Sequence, residues 1–378
     1  MNIPIFHWSL EFSLNFLGLL PNKPNLFNQL LLCSSLVVIS PFQLKDILFY
    51  DNRAKMLDGV RDMAVIIFLV VKFLIMLSNK SSLHFLLKEL EEDWKNIKNS
   101  KNEKIMMEYV NYAHKFCISD WSLYAITTCT YIGEFFIIYF TNTSDQKILF
   151  IPATYPFDIN PLPIFIAVTI LQSVLFGCWV CANALSETLL ATLVFHLVGR
   201  IEILRNEIGN MSFSPNTVNS KRYLIDFIKK IVYQHRKLII ISQKIEAIYS
   251  YICLIQFFTS TITLCLAGYL FITSVDDLDL FLILKYICFI LLMLLQSFAI
   301  CFCGEILLTK SLSIPQSIIN CSWYETSPEN IKLLLMIIVR TQKPMSLTIG
   351  KFTALSIKGF TKILQTSVSY LSVLRTAY

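Results

Sequence analysis

Glycine is scarce in this chain, 10 residues among 378, and charge is thin, at 15% of all residues. The first shortage disfavours a glycine-rich β-barrel. The second sets the chain apart from ordinary soluble domains, which carry about 25% charged residues. Histidine is rarer still: His7, His84, His114, His196 and His235 lie scattered. No His-Glu-x-x-His, Gly-x-Ser-x-Gly or phosphate-binding loop occurs. An enzyme is therefore not expected, nor a metal centre or cofactor. The apolar N-terminus has no basic region before it and no small-x-small cleavage site after it. Residues 1–20 are read as a helix lying at a membrane surface rather than as a signal peptide. There is no repeat array, low-complexity tail or soluble domain.

What is abundant is apolar surface, 55% of the residues, gathered in runs at about 28–49, 60–77, 118–139, 163–198, 247–272 and 280–308. Runs of that length define an α-helical membrane protein embedded in a lipid bilayer. Pro41 is positioned to kink the first. The eleven cysteines fall almost entirely inside these runs or in loops expected in the cytosol, so no disulfide framework is expected. Cys178 and Cys181 form a Cys-x-x-Cys, but within an apolar helix, where packing is its expected role.

The net charge of +6 sits between the apolar runs, which indicates orientation rather than nucleic-acid binding. The loops after runs two, four and six hold most of the basic residues, from Lys80 to Lys115, Arg200 to Lys244, and Lys310 to Lys343. The opposite loops hold Lys45, Arg53, Lys55, Arg61 and Lys147. The positive-inside rule places the N-terminus in the cytosol and, with a seventh span, the C-terminus outside. Asn142-Thr143-Ser144 is then an external glycosylation sequon, while those at Asn79, Asn210 and Asn320 are internal and silent. This orientation opposes that of a G-protein-coupled receptor. No Asp/Glu-Arg-Tyr or Asn-Pro-x-x-Tyr motif occurs, so no G protein is expected. Residues 81–117 carry Leu83, Leu86, Leu87, Leu90 and Trp94 on one helical face, and 200–246 ends in a basic helix; both are expected in the cytosol.

Charges inside spans are costly and mark sites of interest. Lys72 and Glu134 are expected either to pair or, for Lys72, to snorkel to the interface. Glu187 and Glu305 are expected to make structural contacts. Near the C-terminus, Ile331, Leu334, Leu335 and Ile338 give a Thr326–Arg340 helix a buried stripe. Pro344 breaks it, and a long helix over 346–378 follows, roughly 45–50 Å at 1.5 Å per residue. Thr366, Ser369, Val373 and Thr376 form one small-polar stripe on it, which faces either another helix or water.

Several short sequences stand in a recognisable order: Tyr155-Pro156-Phe157-Asp158, Gly304-Glu305, Cys321-Ser322-Trp323-Tyr324, Arg340-Thr341-Gln342-Lys343-Pro344, and a terminal helix with Ser369-Tyr370. In these the chain resembles the insect odorant receptors over essentially its whole length. The resemblance implies an odorant-gated, non-selective cation channel subunit in the plasma membrane of a sensory-neuron dendrite. It implies a bundle over 1–308, a cytosolic anchor segment over 309–345 and a pore-lining helix over 346–378. The ligand, a small volatile organic molecule, is expected between helices in the outer half of the bilayer. Val65, Phe68, Leu69, Lys72, Thr128, Tyr131, Phe176, Trp179, Phe289 and Met293 are its candidate contacts. Val373 falls at the hydrophobic gate, Thr376 at the pore mouth and Ser369 in the wider space below. Arg375 departs from the pattern, since a cation beside a cation pore is unfavourable. The gustatory relatives end on Thr-Tyr, five apolar residues and Gln-Phe, which this chain lacks; a gustatory-type homotetramer is the alternative. The shared odorant co-receptor (Orco) carries a long insertion before its fifth span, for which residues 200–244 leave no room. The chain is thus expected to be a tuning subunit in a heterotetramer with that co-receptor. A seven-span transporter would show repeats and broken mid-membrane helices; neither is evident.

Overall fold

A computed structural model of the chain describes residues 4–20, 25–49, 53–141, 149–210, 218–276, 278–321, 323–325 and 328–377. Asn142, Asp277, Ser322 and Thr326 lie outside the described residues. Helix α1 (Trp8–Phe16) buries Leu10 and Leu14 and leaves Trp8 and Phe12 exposed, a division suited to a surface helix. The first apolar run forms two helices, α2 (Leu26–Val38) and α3 (Ser40–Leu48), with Pro41 in the first turn of the second. Proline cannot continue the preceding hydrogen-bond ladder but is preorganised for a first turn.

Helix α4 (Arg53–Ser78) starts ahead of its apolar run. Helix α5 (Lys80–Ile97) buries Leu83, Leu86, Leu87, Leu90 and Trp94. The polar stretch then turns at Asn99, whose φ of 64° lies in the left-handed region that asparagine tolerates. Helix α6 (Glu103–Thr141) runs unbroken into the third apolar run. Helices α7 (Leu162–Gly209), α8 (Val218–Asp276) and α9 (Leu280–Leu312) are likewise single rods that outrun the apolar segments they contain. By length and composition alone, Leu26–Leu48, Leu162–Gly209, Ile225–Asp276 and Leu280–Ile319 can each cross a membrane.

We call the end of the bundle carrying Asp58, Glu134 and Lys285 outer, and the opposite end inner. From Ala182 to Gly199 every residue of α7 is buried, and its polar members Asn183, Glu187 and His196 are met there by Lys72, Tyr124 and Asp93. Gly199 permits this at the α6 crossing, where an added Cβ would lie 2.8 Å from the Met106 sulfur. Toward the perimeter, α9 exposes Leu284, Ile287, Leu291, Leu295, Phe298 and Phe302 along one stripe. A stripe that large is unfavourable against water and suits lipid tails.

After α10 (Ile314–Ile319), helix α11 (Pro328–Thr341) buries Leu334 and Ile337. Leu335, expected in the buried stripe, is instead exposed beside Met336 and Val339; the helix is turned by about one residue, giving it two apolar faces. The expected helix over 346–378 is also shorter. Residues 345–356 make a hairpin of β1 (Thr348–Ile349) and β2 (Thr353–Ala354), and α12 spans only Ile357–Ala377. The hairpin wins because Gly350 and Lys351 take positive φ, 58° and 64°, and their amides bond Ser250 of α8 at 2.9 and 3.0 Å. At Gly304 an added Cβ would stand 2.3 Å from the Leu355 carbonyl oxygen. Glu305 accepts from the Ile357 amide at 3.2 Å, a carboxylate at a helix N-terminus, where it is favourable. The Gly304-Glu305 pair thus seats the start of α12.

The inner extensions are tied by Asp93, which is 2% exposed. Its carboxylate meets His196 and Arg200 of α7 at 3.4 and 3.6 Å and Lys237 of α8 at 2.9 Å. Burial by itself raises the Asp93 pKa, but the His196 hydrogen bond, Arg200 and Lys237 together hold it well below the usual carboxylate range. A depressed folded-state pKa means the stabilisation is complete above about pH 5 and lost as pH falls below about 4. Asp93→Ala is expected to cost about 3 kcal/mol by leaving Arg200 and the buried His196 without their partner, while Lys237 keeps Glu89 at 2.6 Å. In thermal melts of purified protein, the loss should be full at pH 7 and shrink toward pH 3.

Candidate ligand cavity and pore helix

Four helices each turn one stripe, spaced by three and four residues, toward a common space. From α4 come Asp62, Val65, Ile66 and Leu69; from α6, Tyr124, Thr127, Thr128 and Tyr131; from α7, Phe176, Trp179, Val180 and Asn183; from α9, Phe289, Leu292 and Met293. Gln43 of α3 and the loop residues Phe150, Ile151 and Pro152 complete the wall. The cavity measures about 120 Å³, comparable with the roughly 150 Å³ apolar cavity that accepts benzene. Its lining is mostly aromatic and aliphatic, with a few polar groups that could orient a bound molecule.

The loop is held in place by α7 and α3. Gln172 accepts from the Ile151 amide and donates to the Ile151 carbonyl, both at 2.9 Å. Thr154 reaches α3 through its amide to the Phe42 carbonyl and its hydroxyl to Asp46, at 3.2 and 2.8 Å. Above the cavity lies a polar vestibule of about 640 Å³, lined in part by Asp46, Lys55, Asp58, Asp62, Glu134 and Lys285.

Between the two chambers sits an ionic cluster. Arg61, fully buried, pairs with Asp58 and Asp62 at 2.7 Å each and donates to the Tyr131 hydroxyl at 3.0 Å. Its guanidinium also stands 4.8 Å from the centre of the Phe289 ring, a favourable cation–π distance. Lys285 pairs with Glu134 at 2.7 Å and Asp58 at 3.2 Å. Two sequence expectations are corrected here. Arg61, counted among loop cations, is a core residue. Glu134 pairs with Lys285 rather than Lys72, which lies roughly 20 Å further along α4 than Asp58 at 1.5 Å per residue.

Lys72 does not snorkel either. It is buried, and its ammonium donates to Asn183 at 3.0 Å and to Gln256. Gln256 donates to Ser260 at 3.2 Å, and Ser297 joins Ser260 at 2.8 Å. On the next residue of α8, the Thr261 carbonyl accepts from Ser367 of α12 at 3.4 Å. A line of polar contacts therefore leads from Asn183 at the cavity floor, across α4 and α8, to α12. Beside it, Tyr124 donates to Glu187 at 3.3 Å and accepts from Gln296, so Glu187 makes its contact deep within the protein.

Of the ten candidate ligand contacts, Val65, Leu69, Thr128, Tyr131, Phe176, Trp179, Phe289 and Met293 are brought together in the cavity wall; Phe68 and Lys72 are not. Phe68 lies off the inward stripe of α4, and Lys72 lies below the floor. Eleven wall residues were missed, among them Gln43, Asp62, Tyr124 and Asn183. A heptad-like register through Tyr131 and Trp179 could have found Tyr124 and Asn183, whereas nothing local marks Gln43. On α12, Gly359, Ile363 and Ser367 face the bundle, while Ser369, Val373 and Thr376 are exposed on the opposite side. The Thr376 hydroxyl donates back to its own helix, to the Val373 carbonyl at 2.9 Å. All eleven cysteines are free.

Residues 55–368 match the model of the 7tm odorant receptor family. The chain belongs to that family, and so is a seven-transmembrane, mostly helical membrane protein. It is 24% identical to odorant receptor 13a of Drosophila melanogaster over 59% of this chain and 56% of that protein. It is 23% identical to odorant receptor 47a of the same species over 82% and 76%. With odorant receptor Or2 of Anopheles gambiae it shares 25% identity over 58% and 59%. The chain thus spans little more than half the length of the first of these. The solved insect olfactory receptor OR5 from Machilis hrabei in complex with eugenol has the same fold, with a TM-score of 0.79 at 16% identity, covering 98% of this chain and 96% of that one.

Removing Arg61 leaves Asp62 without its cation and Asp58 with Lys285 alone. Arg61→Met is expected to lower stability by about 3 kcal/mol, read as a fall in the melting temperature of purified protein and in surface level.

Proposed function

We propose that this chain is the ligand-binding tuning subunit of an odorant-gated, non-selective cation channel, assembled with the odorant co-receptor as a heterotetramer. Its ligands are small volatile organic molecules, held by Val65, Leu69, Thr128, Tyr131, Phe176, Trp179, Phe289 and Met293. The N-terminus is cytosolic, the C-terminus external and Asn142 glycosylated, in the plasma membrane of a sensory dendrite. No G protein and no catalytic step take part. The observation that carries this reading is the apolar cavity joined by buried polar contacts to α12, a helix with an exposed small-polar face.

On that face Val373 forms the hydrophobic gate, Thr376 the pore mouth and Ser369 the wider space below. The exposed Leu335, Met336 and Val339 of α11 supply packing between subunits at the inner end, alongside Trp323 and Tyr324. Arg375, exposed beside the proposed pore, has to turn toward a neighbouring subunit or the outer surface.

The test is odorant-evoked current in cells expressing the chain alone and with the co-receptor. Current only with the co-receptor is expected. Val373→Ala should raise the ligand-free current several-fold, since a smaller ring excludes water less well. Robust current from the chain alone would favour the gustatory-type homotetramer. Silence across a broad panel, with surface expression verified, would overturn the channel reading.

A further inference from the structure

Gln43 lines both the apolar cavity and the vestibule above it. It is 3% exposed, and its side-chain oxygen is buried with no hydrogen-bond partner among the described residues. Three polar groups of the same wall are already engaged. Tyr131 is held by Arg61 and Asp62, Asn183 by Lys72, and the Trp179 indole donates to Ser35 at 3.1 Å. A buried amide oxygen without a partner is costly, and a ligand that donates to it is favoured over one that does not.

We propose that Gln43 is the polar contact of the ligand cavity, and that it selects compact, largely apolar molecules carrying one hydroxyl: volatile alcohols and phenols. This rests on the ligand-cavity reading above. A hydroxyl both donates and accepts, so it bonds a carboxamide in either orientation. An ether or hydrocarbon leaves the Gln43 oxygen without a donor. A carboxylate is repelled by the Asp62 carboxylate at the same neck. An ammonium ion would have to shed its water beside carboxylates already paired to Arg61 and Lys285. The small cavity volume limits the remainder to a ring or a short chain.

The test uses the full-length receptor, purified with its co-receptor, and a panel of alcohols and phenols each matched with its methyl ether. Benzyl alcohol against benzyl methyl ether and hexan-1-ol against its methyl ether are two such pairs. Dissociation constants are measured for wild type and for Gln43→Met, which keeps the side-chain length and removes the amide. In wild type, at least one alcohol should bind about tenfold more tightly than its ether. Gln43→Met should narrow that ratio to about twofold while ether binding stays unchanged, which also reports that the variant is folded. If the variant fails to fold, the wild-type ratio decides.

Equal wild-type affinities, a preference that survives Gln43→Met, or no binding by any pair would overturn the proposal. Evoked current on the same samples separates the two readings. A Gln43-dependent preference without current leaves this inference standing and removes the channel. Current without that preference does the reverse.

Discussion

Every charge carried into the spanning part of this chain has to be neutralised by protein, because lipid supplies neither counter-ions nor hydrogen bonds. That requirement organises the outer half of the molecule. Arg61 and Lys285 hold Asp58, Asp62 and Glu134 between them, and in doing so fix α4, α6 and α9 at one set of distances. The aromatic residues one turn below inherit that spacing, and the cavity is the space left between them. Lys72 meets the same requirement differently, with two side-chain carbonyls. Ion–dipole contacts are weaker than ion pairs, and they place the cation where it links three helices.

The proposed function depends on how these layers connect. The cavity wall is rigid where aromatic rings pack on the ionic cluster, and its roof is a loop clipped by Gln172. Its floor opens into a line of amides and hydroxyls that ends on α12. Buried polar networks of this kind specify one arrangement of helices over close alternatives. On the proposed function, a molecule filling the cavity lies directly above the α4–α7 contact that Lys72 bridges.

The sequence made some of this legible. Apolar runs located the long helices, and the family resemblance pointed between α4, α6, α7 and α9, where eight of the ten residues named on it line the cavity. The i, i+3, i+4 repeat set Ser369, Val373 and Thr376 on one face of α12. What it did not carry was decided by partners distant along the chain. Lys285 stands in the most apolar helix, and its role depends on Asp58 and Glu134, far away in sequence. The start of α12 hinges on a glycine turn bonded to Ser250, so the apolar pattern from residue 346 overstated the helix. Leu335 and Ile337 exchange places because a helix rotated by one residue fits nearly the same pattern. Gln43 comes from a helix near the N-terminus that meets the site only after folding.

The seat of α12 has a mechanical consequence. Its first turn is fixed by Glu305 and Leu355, and the hairpin before it is bonded to Ser250 and Glu246. Toward its other end Leu371 and Leu374 are only half-buried and the rest is exposed. The helix is about 32 Å long, at 1.5 Å per residue, and rests on the bundle at Ile363 and Ser367. A tilt of about 5° at the clamped base moves the tip by about 3 Å. That is about the diameter of one water molecule, so a small rotation among buried helices becomes a whole hydration layer at the far end.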